Sequence, residues 1–213
     1  MRKDKNLYRA VFLLTAFAVW TIMVQTFDVQ LMGPSGSSVG FASINQLVRD
    51  QVGVCMPLYV ITDWLGLVPI AFAAGFALLG VKQWMQRKSL FKVDFSILVL
   101  GGFYILVIAL FFLFEITAIN FRPILINDVL EASYPSSTTM LTLFVMPTAC
   151  MQLTSRIKCK MVRYCITFGI SLFVVFMVVG KLVSGVHWFT DIIGGILLSS
   201  GLVMLYRSVC NIR

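Results

Sequence analysis

Histidine is all but missing from this chain: His187 is the only one in 213 residues, and charged residues of both signs make up just 12%. A lone imidazole excludes the multi-histidine ligand sets that bind zinc. The five cysteines, Cys55, Cys150, Cys159, Cys165 and Cys210, are scattered and odd in number, which supports neither a disulfide framework nor a thiolate metal site. No internal repeat, low-complexity tract or domain-separating linker interrupts the sequence, so residues 1–213 read as a single domain. What is present in excess is apolar: 59% of residues are hydrophobic and the mean hydropathy is +0.93. Such a chain has too little polar surface to coat a soluble globule of this size, and it reads as an integral membrane protein.

Six stretches of 17 or more residues are long enough to cross roughly 30 Å of hydrocarbon. They run over Val11–Phe27, Pro57–Val81, Phe95–Ile119, Ser136–Gln152, Val162–Val183 and Trp188–Tyr206. The expected fold class is therefore all-α, a bundle of six transmembrane helices. Basic residues followed by an apolar run also describe a signal peptide, but here the run continues through Trp20, Ile22, Met23, Val24 and Phe27. No A-x-A-like cleavage site precedes the polar stretch, and the segment reads as an uncleaved first span.

Of the 17 basic residues, all but Arg49, Arg122 and Lys181 fall on one side of such a bundle. Arg2, Lys3, Lys5 and Arg9 precede the first span, Lys82, Arg87, Lys88 and Lys92 follow the second, and Arg156, Lys158, Lys160 and Arg163 follow the fourth. Arg207 and Arg213 close the chain. The positive-inside rule then puts both termini in the cytoplasm. The net charge of +8 reflects this topology and contact with anionic lipid rather than a nucleic-acid footprint. The compact chain without long soluble extensions points to a bacterial plasma membrane.

Between the first two spans lies the longest outer segment, opening with Gly33-Pro34-Ser35-Gly36-Ser37-Ser38, either an anion-binding nest or a surface turn. Val39, Ile44, Leu47, Val48 and Val52 then recur at roughly helical spacing. They suggest a short amphipathic helix in the outer interface, flanking a lipid entrance. Asp63 sits about two turns into the second span from its outer end. A carboxylate at that depth calls for a partner, and the outer basic residues or His187 would supply one. Asp28, Asp50, Asp128 and Glu131 read as solvated loop acids, and Gly194 and Gly195 as packing residues.

The chemistry concentrates in three places: Arg122-Pro123, Pro135-Ser136-Ser137-Thr138, and the run from Lys181 through His187 to Asp191. On a helix His187 and Asp191, four apart, would share a face and hydrogen-bond, pairing a nucleophile with the group that orients it. In order and spacing these stretches resemble the type 2 phosphatidic acid phosphatase superfamily, metal-independent membrane phosphatases with the motifs K-x6-RP, PSGH and SR-x5-H-x3-D. The third motif matches best, with Gly185-Val186-His187-Trp188 and Asp191-Ile192-Ile193-Gly194-Gly195 around it. The likeness extends over about the C-terminal two thirds.

That resemblance implies a phosphohistidine on His187, which water hydrolyses, with Asp191 fixing the imidazole tautomer. It implies that Arg122 and Lys181 bind phosphoryl oxygens. Ser136, Ser137 and Thr138, opening the fourth span, would offer hydroxyls and free N–H groups to the anion. No cofactor is expected, because no second carboxylate cluster of the kind that holds magnesium accompanies the site. The partners are the lipid bilayer and a lipid phosphate or diphosphate, with no nucleic acid.

Three positions depart from the motifs. Glu115 stands where the family has a lysine, Thr138 where it has a histidine that protonates the leaving oxygen, and Gly180-Lys181 where it has Ser-Arg. Lysine keeps the charge but loses the planar fork of arginine. Three accounts fit Thr138: an isoprenyl diphosphate whose leaving group departs as an anion, Glu115 as substitute acid if burial raises its pKa, or retained lipid-phosphate binding without chemistry. In place of the acid role, Glu115 would form an ion pair with Arg122 or Lys181. Hydrolase, lipid phosphotransferase and non-catalytic binder or transporter are thus the candidate functions.

Overall fold

A computed structural model describes residues 2–210, with side chains from residue 5 onward. Arg213 and the side chains of Arg2 and Lys3, all assigned above to the cytoplasmic side, lie outside the described part. The long apolar runs become helices α1 (Arg2–Thr26), α4 (Leu67–Arg87), α5 (Phe95–Thr117), α7 (Lys160–Val183) and α8 (Phe189–Val209), with shorter α2 (Ala42–Val52) and α3 (Met56–Leu65), and α6 (Ser137–Arg156). Strands β1 (Gln30–Leu31) and β2 (Ser38–Val39) form a small antiparallel hairpin. The Gly33–Ser38 run is its tip, closed by Gly33 N–H to Ser37 O at 3.0 Å and Ser37 N–H to Pro34 O at 3.1 Å. The protein is an all-α membrane protein.

Five helical stretches are apolar and long enough to cross a bilayer: Lys5–Thr26, Met56–Arg87, Phe95–Thr117, Lys160–Val183 and Phe189–Val209. The span expected at Ser136–Gln152 forms the 20-residue α6, which differs in character. It lies inside the bundle, where Thr139, Thr142, Thr148 and Gln152 are buried. Part of this polarity is satisfied: Thr148 Oγ1 donates within its own helix to Phe144 O at 2.8 Å and Gln152 Nε2 donates to the Tyr206 hydroxyl, while Thr139 Oγ1 and Thr142 Oγ1 have no hydrogen-bond partner among the described residues. Outside, residues such as Phe12, Leu78, Ile105, Ile116, Phe168 and Leu172 are exposed, as expected of helices whose solvent is hydrocarbon.

The second expected span is not one helix. α3 meets α4 at Gly66, whose N–H is shared between Thr62 O and Asp63 O at 3.1 and 3.0 Å, and the stretch runs on to Arg87. Pro69 supplies the reason, because it has no N–H for the Leu65 carbonyl one turn back and its ring crowds that carbonyl. This break lets α3 lean over the C-terminal end of α7, where Cys55 N–H donates to Ser184 O at 3.0 Å.

The segment read as an amphipathic helix forms α2. Its protein-facing side carries Ala42 and Asn45, while Ile44 and Leu47 are exposed. Asn45 is buried because it is fully used: Nδ2 donates to Gly40 O at 2.8 Å and Thr190 Oγ1 at 3.0 Å, and Oδ1 accepts Thr190 N–H at 3.2 Å. A free N–H at the start of α8 is thereby satisfied. Asp28, read as solvated, instead accepts Ser43 N–H at 2.8 Å in the first turn of α2.

Both ends of the bundle are tied. At one end Asp94 accepts from Gln83 at 2.8 Å, Arg87 at 3.0 Å and Arg156 at 3.4 Å, joining α4, α5 and α6. The described basic residues, other than Arg49, Arg122 and Lys181, gather at this end, and the sequence motifs gather at the other. Replacing Asn45 by alanine removes three hydrogen bonds at buried groups and is expected to cost about 1–3 kcal/mol. The melting temperature in detergent should fall by several degrees, whereas Gln46→Ala on the exposed face should leave it unchanged.

Candidate active site

His187 lies in the loop between α7 and α8, one residue before the Trp188 N-cap, and Asp191 is the third residue of α8. The shared helical face expected from their spacing is therefore not how they meet. The chain turns at Gly185, with φ +70°, where a Cβ would come within 2.0 Å of Gly53 O. Only glycine allows both that backbone and that approach. The turn carries His187 Nδ1 to 3.6 Å from Asp191 Oδ2, slightly beyond a hydrogen bond.

Asp191 is fully buried, and its carboxylate is already engaged. Oδ2 accepts Trp188 N–H at 3.0 Å and Oδ1 accepts from Asn120 Nδ2 at 3.4 Å. Its backbone carbonyl accepts Ser136 N–H at 3.1 Å, which brings the start of α6 to the histidine loop. Gly194 admits Tyr134 against α8, for a Cβ there would stand 2.6 Å from the ring. The Tyr134 hydroxyl in turn meets Thr21 of α1 at 2.8 Å.

The two cations arrive from different elements. Lys181, in the last turn of α7, has a side chain only 1% exposed, with Nζ 3.4 Å from Asp63 Oδ1 and 4.7 Å from the centre of the Tyr59 ring. Burial of an unpaired ammonium costs several kcal/mol, so these partners explain how it is tolerated. Arg122 meets the same ring, its Cζ 5.7 Å from the Tyr59 centre. The loop that carries it is fastened by Arg122 N–H to Glu131 O at 3.0 Å, and Nε lies 2.9 Å from Glu131 Oε2. Glu131, read from the sequence as a solvated acid, is therefore a partner of the site. Glu115 is exposed and pairs with neither cation; Glu131 and Asp63 take those places. It lines a cavity of about 20 Å³ together with Ser137, Tyr134 and His187.

Several buried polar atoms here have no hydrogen-bond partner among the described residues: Arg122 Nη1, Ser136 Oγ, and both nitrogens of His187. Buried polar groups are nearly always satisfied, so their concentration at one spot marks a place built for a polar, anion-like group. Ser137 and Thr138 face the mouth of a largely apolar groove of about 470 Å³ between α4, α5 and α6, with Asp63 at the same mouth. Among the described residues, no three His, Cys, Asp or Glu side chains assemble as a metal site.

Tyr59, Asn120 and Glu131 were not singled out from sequence as site residues. Tyr59 and Asp63 are four apart on α3, a spacing that could have drawn attention to the tyrosine once the carboxylate was suspected. Asn120 and Glu131 carry no periodic or motif signal.

In sequence, the chain matches no protein-family model and no curated protein. In structure it is similar to a transmembrane PAP2-type phosphatidylglycerolphosphate phosphatase from Bacillus subtilis, with a TM-score of 0.59 and 18% identity, over 95% of this chain and 96% of that one. The fold is thus shared along nearly the whole length of both.

Burial pushes the His187 imidazole below the ordinary value of 6.5; the Asp191 carboxylate opposes this, and the Arg122 and Lys181 charges add to it. As the chain's only histidine, His187 gives a single imidazole signal in a nitrogen-labelled sample. Its titration is expected below pH 6.5, and Asp191→Asn should move it lower still, since the charge favouring protonation is gone. A midpoint at or above the ordinary value would contradict this environment.

Proposed function

We propose that this chain is a single-domain, metal-independent phosphatase of the type 2 phosphatidic acid phosphatase superfamily, with α6 as a sixth span. It acts on a lipid phosphate or diphosphate at the outer face of the plasma membrane, with both termini in the cytoplasm. The observation that carries this reading is the cluster of unpartnered buried groups on Arg122, Ser136 and His187, set beside a groove of about 470 Å³ whose walls are apolar and whose mouth is polar. Pockets of a few hundred Å³ suit one lipid-sized ligand. The outer-face assignment is supported by the basic residues at the opposite end of the bundle.

In this mechanism the lipid tail lies in the groove and the phosphate lies against Arg122, Lys181 and the first turn of α6. The lone pair of His187 Nε2 attacks phosphorus and the bond to the lipid oxygen breaks, leaving a phosphohistidine. Asp191 holds Nδ1–H, which keeps Nε2 unprotonated and stabilises the charge that develops on the ring. Water then attacks phosphorus, the P–N bond breaks, and inorganic phosphate leaves. Arg122 and Lys181 offset charge on the phosphoryl oxygens in both steps.

The lipid oxygen needs a proton when the substrate is a monoester, and Thr138 cannot supply one at neutral pH. Glu115 lines the same small cavity as His187 but is exposed, so it lacks the burial that would keep it protonated as a substitute acid. A diphosphate, whose leaving group departs as an anion, needs less help.

Purified protein in detergent with EDTA is expected to release phosphate, and His187→Ala to reduce release by roughly 10³-fold or more. An isoprenyl diphosphate should be hydrolysed faster than phosphatidic acid, because its leaving group needs no proton. Full activity in His187→Ala would overturn the proposal, and equal or faster release from phosphatidic acid would contradict the leaving-group argument. Release of a phosphorylated acceptor lipid instead of phosphate would make the enzyme a transferase.

A further inference from the structure

Three basic residues stand at the site end of the molecule, and only two of them have been used. Arg122 and Lys181 each sit beside a carboxylate, Glu131 at 2.9 Å and Asp63 at 3.4 Å. Arg49, on the outer half of α2, has no carboxylate partner among the described residues. Its guanidinium lies over the indole of Trp188, 5.4 Å from the ring centre, and Trp188 is the residue that follows His187 and donates its N–H to Asp191. Arg49 and His187 also line one cleft of about 10 Å³, with Asn45, Pro123 and Trp188 around it. That is room for about one water-sized atom.

Charge makes the same point. With every group ionised, the carboxylates of Asp63, Glu115, Glu131 and Asp191 outnumber Arg122 and Lys181, so a phosphate dianion would approach a site of net negative charge. Arg49 is the cation not already matched to an acid. We infer that Arg49 is a third phosphate-binding residue, delivered by the interfacial helix α2, whose guanidinium reaches a phosphoryl oxygen through the cleft beside His187.

This assignment rests on the phosphatase reading and adds to it a residue outside all three motif stretches. It gives α2 a purpose beyond covering the bundle. Asn45, one turn before Arg49, is locked to Thr190 at the start of α8, so the helix presents its arginine from a fixed base. Stacking on Trp188 holds the guanidinium plane while leaving its N–H groups free at the edge.

The test compares Arg49→Gln and Arg49→Lys with the wild type in two assays. The first is phosphate release from a lipid phosphate, and the second is thermal stabilisation of the protein by orthovanadate, which needs no turnover. Arg49→Gln is expected to lower kcat/KM and to weaken vanadate stabilisation by about 10–100-fold, the loss of one charge-assisted hydrogen bond. Arg49→Lys should recover part of both, because the charge returns without the fork. Unchanged kcat/KM and vanadate response in Arg49→Gln would overturn the inference, as would a lowered melting temperature with an unchanged vanadate response, which would reduce Arg49 to a clamp on Trp188. If Arg49→Gln behaves as wild type while His187→Ala is inactive, this assignment fails and the phosphatase reading stands. If the wild type releases no phosphate, the phosphatase reading fails, and vanadate stabilisation that depends on Arg49 still supports an anion site there. Wild type that neither releases phosphate nor responds to vanadate would overturn both.

Discussion

A fully buried carboxylate organises the site end of this bundle. Asp191 receives Trp188 N–H and the Asn120 amide on its two oxygens, lies beside His187, and accepts Ser136 N–H on its backbone carbonyl. Those contacts draw together the start of α8, the loop between α5 and α6, the start of α6 and the only histidine. A buried charge with this many donors is tolerated where a free one would be expelled. Removing it would leave several buried donors unpaired at once.

The same economy governs the rest of the site. Lys181 is buried because Asp63 and the Tyr59 ring accept it, and Arg122 shares that ring. Each depends on α3 leaning over α7, which follows from the break at Gly66 and Pro69. The polar helix α6 can sit in a membrane protein because Thr148 and Thr154 bond to carbonyls of their own helix and Gln152 reaches Tyr206. Around this polar interior the outward faces of α1, α4, α5 and α7 are left to hydrocarbon.

Much of this was legible in the sequence. Apolar run lengths located the helices, since a span must satisfy its backbone internally and so reveals itself by composition alone. The motif order put Arg122, Ser136, Lys181, His187 and Asp191 at one end. What stayed hidden was set by partners distant in the chain. Asn45 meets Thr190 and Asn120 meets Asp191 across 145 and 71 residues, and neither pairing leaves a local pattern. Glu131 reads as a loop acid until Arg122 folds against it. α2 was legible as an amphipathic helix, and Ile44 and Leu47 do stay exposed, while the burial of Asn45 was set by Thr190. The split of the second span turned on a proline three residues into α4, which apolar composition masked.

The central claim is that His187 becomes covalently phosphorylated during turnover. The most direct measurement is an alkaline quench of the protein with a lipid carrying radiolabelled phosphate, followed by isolation of the labelled peptide. The account predicts transient label on the peptide containing His187, lost in acid and absent from His187→Ala. Phosphate release without label on protein, or label that survives replacement of His187, would contradict it.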